Sequence, residues 1–336
     1  YPAVSLKQAR LKRDEYREQL STGIKPRDTK SEMTFRELTK EYLDRRTDLS
    51  EKYLKDINAL LKRDFLPNIG DLSIDKITPP HFIEIFENME KRGIRTATKK
   101  SGSLVKRIFM YAVTKQYTNN NPVASIDFSV LLTPHKPNNF HHITDLDLFK
   151  ELLHAIDDYT GDIFTKTALR LMPYVFVRPG NIRAMLWSEL DFEARTWTIP
   201  ADKMKMKRDH VVPLTDTIIK ILDNVKNNNS EFVFPSPQST KRQLSDNTLN
   251  VALKRLGFKG VMTSHGFRHT ASTILHENIH RHGVQSDVIE MQLAHVEKSN
   301  VKGVYNKALY MDERVRLMEW WSDYLDALKK KKKKGQ

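Results

Sequence analysis

The chain has 336 residues, 39% of them hydrophobic and 29% charged, with a formal net charge of +14 and no cysteine. That length holds two or three domains with proper cores, and the lack of cysteine removes disulfides, thiolate zinc sites and cysteine nucleophiles together, as fits a cytoplasmic protein. No apolar run reaches the roughly eighteen residues of a membrane span, the N-terminus is charged throughout rather than a secretory signal, and the positive field favours a polyanionic partner.

The elements follow in chain order. Ser5 and Gln8 have capping-box spacing, and Gly23 with Pro26 stops the helix they open. Residues 1–30 have too little apolar surface to fold alone and begin without Met. They are expected to be the helical tail of a domain that is cut away.

Residues 33–125 form the next expected unit. "TFRELTKEYLDRR", "SEKYLKDINALLKRDFLPNI", "TPPHFIEIFENMEKR" and "TATKKSGSLVKRIFMYAVTKQY" each place apolar residues at helical spacing, with "NIGDLS" and "TNNNP" as turns. The pattern predicts a four-helix, all-α domain. Lys91 to Tyr117 holds eight basic residues and no acidic one. A solvated helix face ordinarily mixes signs, so Arg95, Lys99, Lys100, Lys106 and Arg107 read as a phosphate-facing surface.

A Pro-, Asn- and His-rich stretch, 126–142, reads as a linker, and 143–328 as a second domain. The latter opens with helices ("LDLFKELLHAIDDY", "DIFTKTALRLMPYVF"), turns to short β-rich segments ("LWSELDF", "TWTIP", "HVVPLT") and returns to helices. The whole is therefore predicted to be mainly α with a small antiparallel β-sheet, in an order that is not βαβ. The final helix carries Val315, Met318, Trp321 and Leu325 as a core-facing stripe. Residues 329–336 are a Lys-rich tail; removing its six lysines from +14 leaves +8, so the chain is basic without it.

Two short motifs lie in "SHGFRHTASTILHENIH". His276, Glu277 and His280 match H-E-x-x-H, which on a helix places two imidazoles on one face for zinc with Glu as base. The pattern fixes three positions among twelve histidines, His282 is too close to serve as third ligand, and no metal is expected. His265 and Arg268 match H-x-x-R, which gains weight from its company. Arg178 stands in "FVRPGNIRAMLW", Lys205 in the basic hairpin "ADKMKMKRDHVVPL", and His295 with Tyr305 in "LAHVEKSNVKGVYNKALY".

The order Arg, Lys, His-x-x-Arg, His, Tyr, with "RPG", "VVPL", "HGFRHT" and "LAH…Y", resembles the tyrosine site-specific recombinases of the lambda-integrase family, most of all the prophage and pathogenicity-island integrases. The resemblance spans nearly the whole chain and implies a helical core-binding domain followed by a catalytic domain. It also implies DNA strand cleavage and rejoining through a covalent 3′-phosphotyrosyl link, with no metal, ATP or other cofactor. Tyr305 would be the nucleophile, with Tyr310 as its less well-spaced rival. Arg178 and Arg268 would hold the phosphate oxygens through paired donors. Lys205 would protonate the leaving 5′-oxygen, His265 would transfer a proton near the nucleophile, and His295 would hydrogen-bond the phosphate or position Tyr305. Lys203 and Lys207 alternate with Lys205 and remain open, as general acids or as DNA-backbone contacts. One departure stands out: Asn181 follows "RPG" where the family often carries a Glu that supports the site.

The implied partners are double-stranded attachment-site DNA, a homotetramer on two sites and accessory DNA-bending or directionality factors, in the cytoplasm of a bacterial host. A non-catalytic architectural DNA-binding protein and a type IB topoisomerase are the competing readings. The attachment-site sequence is not legible, because phosphate contacts supply affinity without sequence information.

Overall fold

Ser5 caps the first helix, α1 (Leu6–Ser21), through the reciprocal pair its spacing predicts: the Gln8 amide donates to Ser5 Oγ at 3.3 Å, and the Ser5 amide donates to Gln8 Oε1 at 3.0 Å. The structure, a computed structural model, describes residues 5–21, 33–133, 141–205, 207–226, 229–295 and 310–330. The chain divides into two units, residues 1–137 and 138–336. The residues expected to stop α1, Gly23 and Pro26, lie outside the described residues.

In the first unit the four expected helices are α2 (Phe35–Asp44), α3 (Glu51–Leu60), α4 (Pro79–Lys91) and α5 (Arg95–Thr114). Thr34 starts α2 with a capping box to Glu37, and Ser50 caps α3. α3 runs on through a π-helical turn, Leu61–Phe65, into Leu66–Ile69. In that turn the buried Asp64 carboxylate accepts from Arg63 at 2.8 Å and Arg92 at 2.5 Å, so the irregularity carries a satisfied charge.

Phe35, Phe65, Phe82, Phe86 and Phe109 form the centre of the core, with Phe82 and Phe109 edge to face at 5.6 Å. A short helix, Phe128–Leu131, closes this unit. Phe128 lies 4.9 Å from the Phe86 ring and so close to α5 that a Cβ on Gly102 would stand 2.0 Å from it. The start of the stretch read as a linker therefore packs on the first unit, because Phe128 and Leu131 carry apolar surface at helical spacing.

The second unit is built around α7 (Ile163–Val175), which packs against α6 (Leu146–Asp157) and then against most later helices. After α8 (Pro179–Arg183) comes a three-stranded antiparallel sheet in the order β1 (Leu190–Asp191), β2 (Thr196–Ile199), β3 (His210–Pro213). The register pairs Trp197 with Val212 and Ile199 with His210, which buries Trp197, Ile199 and Val212 on the helical layer.

Next are α9 (Asp216–Asp223), a hairpin of β4 (Pro235–Ser236) and β5 (Ser239–Gln243) that the sequence did not announce, α10 (Thr248–Arg255), α11 (Gly266–Glu277), α12 (Ser286–Gln292) and α13 (Met311–Lys330). The hairpin escaped notice because its residues, "PSPQSTKRQ", are polar and poor in β-branched types. α13 docks on its own chain. Leu317, Met318, Trp321 and Leu325 are fully buried, and Trp321 Nε1 donates to the Pro173 carbonyl at 2.8 Å. α13 also takes in the first two lysines of the tail, and Lys329 pairs with Asp157 at 2.7 Å. Among the described residues no helix is long and apolar enough to cross a membrane.

Candidate active site

Three helix boundaries converge in the second unit. Arg178 precedes α8 in extended conformation, with Pro179 at the first helical position, where its missing N–H costs nothing. His265 stands before α11, and Arg268 is in that helix's first turn. Gly266 between them lets the backbone at His141 approach; a Cβ there would stand 2.3 Å from the His141 carbonyl oxygen. His295 follows the turn that ends α12.

The two arginines meet on backbone carbonyls. Arg268, only 5% exposed, donates to the carbonyls of Phe176, at 3.3 Å, and Leu293. Arg178 reaches the Ala294 carbonyl at a long 3.5 Å. Phe176 and Ala294 both have left-handed backbone, φ 34° and 48°, which non-glycine residues adopt at a cost. That backbone strain turns carbonyls toward the guanidiniums.

Arg268 has no carboxylate in contact among the described residues, and its pKa falls to about 10 through burial and then through the neighbouring Arg178, opposed by Glu290. Two like charges in a desolvated recess disfavour one another and favour an anion between them.

The histidines differ in state. His265 is drawn down to about 4 by burial first, then by His269, Arg268, Arg178 and His295, so it is neutral at pH 7 and able to accept a proton. His295 Nδ1 lies 2.5 Å from Glu290 Oε2. A carboxylate only accepts, so Nδ1 carries the proton and Nε2 is left as the second functional nitrogen.

The three hairpin lysines also differ. Lys203 Nζ donates to the Ala184 carbonyl at 2.7 Å and to Glu189, whose other carboxylate oxygen accepts from Trp197 Nε1 at 3.0 Å. Lys203 is thus held in the base of the hairpin. Asn181, 5% exposed, donates to the Lys203 carbonyl at 3.2 Å and tethers the same point to α8. Lys205 is exposed in the turn, with no partner among the described residues, and Lys207 is exposed with a left-handed φ of 51°. Tyr305, the expected nucleophile, lies outside the described residues; Tyr310 is at the start of α13 and partly buried.

The zinc-like pattern takes another form. α11 ends at Glu277 and a new turn begins at Ile279, so His280 does not continue the face of His276. Both His276 nitrogens are engaged, Nδ1 with the Ser272 carbonyl at 2.7 Å and Nε2 with Ser286 Oγ at 3.0 Å. This histidine joins α11 to α12.

On the first unit, Lys99, Lys100, Lys106 and Arg107 are exposed on one side of α5 while Leu104, Val105 and Ile108 face the core. Arg95 is partly buried and lies 3.5 Å from Glu90. Sequence reasoning missed Glu189 and Glu290, the partners of Lys203 and His295, and the buried Gln292 and Arg314. Only Arg314 left a trace, a charge within an otherwise apolar helical stripe.

Comparison with known proteins identifies the family. The phage integrase family matches residues 143–311, and the phage integrase central domain matches residues 35–127. The chain is 32% identical to the prophage integrase IntS of Escherichia coli K12, over 97% of this chain and 85% of that protein. It is equally similar, at 32% over the same shares, to the integrase of Shigella phage Sf6. In fold it resembles a lambda integrase tetramer bound to a Holliday junction, with TM-score 0.64 at 15% identity over 89% of this chain and 90% of that one. The Tn1549 transposon integrase in complex with circular intermediate DNA gives 0.59 at 15% identity, over 79% and 93%. The arginine pair, the neutral histidine and these likenesses lead to one conclusion: the chain belongs to the phage integrase family and is a site-specific tyrosine recombinase.

Proposed function

We propose that Arg178, Lys205, His265, Arg268, His295 and Tyr305 form the reacting set. Tyr305 Oη attacks a DNA phosphorus while the bond to the 5′-oxygen breaks. The tyrosine proton passes to neutral His265 and a proton from Lys205 goes to the 5′-oxygen, leaving a 3′-phosphotyrosyl link and a free 5′-hydroxyl. The link conserves the energy of the broken ester, so the reverse attack rejoins the strands. Arg178 and Arg268 neutralise the non-bridging oxygens, with His295 Nε2 as a further contact.

The observation that carries this reading is the convergence of Arg178, Arg268 and the His295 turn on the Leu293 and Ala294 carbonyls. Lys205 is preferred to Lys203 because Lys203 is committed to Glu189 and Ala184.

In the same reading, residues 33–125 bind the core site, with Lys99, Lys100, Lys106 and Arg107 on phosphates, and 143–328 cut the strand. The substrate is the pair of attachment sites of a prophage-like element, in the cytoplasm of its bacterial host. The working assembly is a homotetramer on two sites, helped by DNA-bending or directionality factors. The solved lambda integrase tetramer on a Holliday junction supports that geometry.

The test uses nicked suicide DNA made from the junctions that flank the encoding element. Wild type should give a covalent band on denaturing gels that Tyr305→Phe lacks. A site that is bound but yields no band in either form overturns the residue assignment.

A further inference from the structure

α13 buries one charge on its core face. Arg314 is 5% exposed, and no carboxylate among the described residues pairs with it. Its guanidinium forks instead. Nε donates to Gln292 Oε1 at 2.8 Å, and one terminal nitrogen donates to the Val211 carbonyl. Gln292 is fully buried and its Nε2 has no partner among the described residues, so the bond to Arg314 is its side chain's anchor.

Both acceptors adjoin the site. Gln292 immediately precedes Leu293 and Ala294, whose carbonyls receive Arg268 and Arg178, and His295 follows. Val211 is the second residue of β3, the strand into which the Lys205 turn descends. Gln292 and Arg314 stand on either side of Tyr305 in the sequence. Burying an unpaired guanidinium is costly, and a methionine or leucine would fill the stripe at less cost.

We infer that Arg314 is a positioning residue that couples the docking of α13 to the alignment of the reacting groups, by tying the turn at Leu293–His295 and strand β3 to one guanidinium. This inference rests on the residue assignment proposed above. With α13 seated, the phosphate-binding arginines and the lysine hairpin share one fixed reference; with α13 lifted, both lose it together. Burial lowers the Arg314 pKa only to about 10, so the clamp stays charged at pH 7.

Arg314→Met removes both arms, and Gln292→Met removes only the arm to α12 should the first variant not fold. Leu317→Ala, on the same helix and fully buried, loosens packing while keeping the clamp. Each folded protein is assayed at saturating concentration for covalent-adduct formation on nicked suicide DNA, and for DNA affinity. Arg314→Met is expected to slow the adduct by about 30–100-fold with affinity within about threefold, because small displacements of reacting groups cost rates of that order. Leu317→Ala is expected to stay within about threefold in rate, because both arms of the Arg314 guanidinium stay in place. Equal losses in the two variants would overturn the inference.

If wild type forms no adduct, the residue assignment fails, and amide hydrogen exchange decides the coupling separately. Faster exchange at residues 209–214 and 286–295 in Arg314→Met than in Leu317→Ala supports it, and the same exchange in both refutes it.

Discussion

The two sides of the proposed reacting centre are built in opposite ways. Arg178, His265 and Arg268 stand at helix starts, and both arginines are held by backbone carbonyls, two of them on left-handed residues. Lys205 is in an exposed turn between a strand and a short 3-10 segment, and its neighbour Lys203 alone is tied down. Groups that stabilise charge gain from being fixed before the reaction, since reorganisation in the transition state is then avoided. A proton donor must reach a leaving oxygen and recover its proton in the reverse step, so an exposed position serves it. On the proposed assignment, rigidity lies where charge would be held and access where a proton would move.

That contrast can be broken experimentally. The largest effect is expected from Arg268→Ala, which should lower single-turnover cleavage by about 10³-fold or more, the scale of losing a preorganised charge stabiliser. Substrate with a sulfur at the bridging 5′ position should not restore it. Lys205→Ala should cost about 10²-fold on ordinary DNA and regain most of that on the sulfur substrate, because a thiolate leaves without a proton. The same recovery in Lys203→Ala instead of Lys205→Ala would move the general acid to Lys203.

Lys203→Ala leaves Glu189 buried without its cation and should lower unfolding stability by about 2 kcal/mol in urea titrations, a partly exposed pair counting for less than a fully buried one. An unchanged midpoint would show that the hairpin base does not depend on that pair.

A smaller effect concerns His210, buried beside Arg314 and Arg268, whose pKa is pushed down to about 3 chiefly by burial. The unfolded chain takes up this proton near pH 6.5, the folded one only near 3, so between those values unfolding binds a proton and stability rises with pH. The contribution is complete above about pH 6.5 and is lost as the pH falls toward 3, at up to about 1.4 kcal/mol per pH unit. His210→Phe should flatten the stability profile between pH 6 and 4 by about one proton; an unaltered slope would refute it.

The smallest expected change is on the first unit. Lys99→Ala or Lys106→Ala should weaken binding alike across DNA sequences and reduce the slope of log K against log salt by about 0.9 each. An unaltered slope would show that this face of α5 does not meet phosphate.

The helices were largely legible because each carries apolar residues at its own period, and the three-stranded sheet because Trp197, Ile199, Val211 and Val212 favour pleated, half-buried positions. The polar β4–β5 hairpin had no such signal. The proposed reacting set stands in the sequence as an order of residue types, but the order carries no distances. Among Lys203, Lys205 and Lys207 the resemblance favoured Lys205 by its spacing to Pro213, and packing against Glu189 separates Lys203 from the other two.

The sequence by itself determined the helical character, the basic face of α5 and the chemical types at the proposed reacting positions, since periodicity, charge and side-chain chemistry are properties of the chain. The tertiary structure decided the rest. It withdrew His276 from the zinc-like pattern by breaking the helix after Glu277, bound Lys203 in the hairpin base and turned the Phe176 and Ala294 carbonyls toward the arginines. It also placed Arg314 between α12 and β3. Each of those outcomes depends on which distant groups become neighbours and lose water, and no local pattern encodes that.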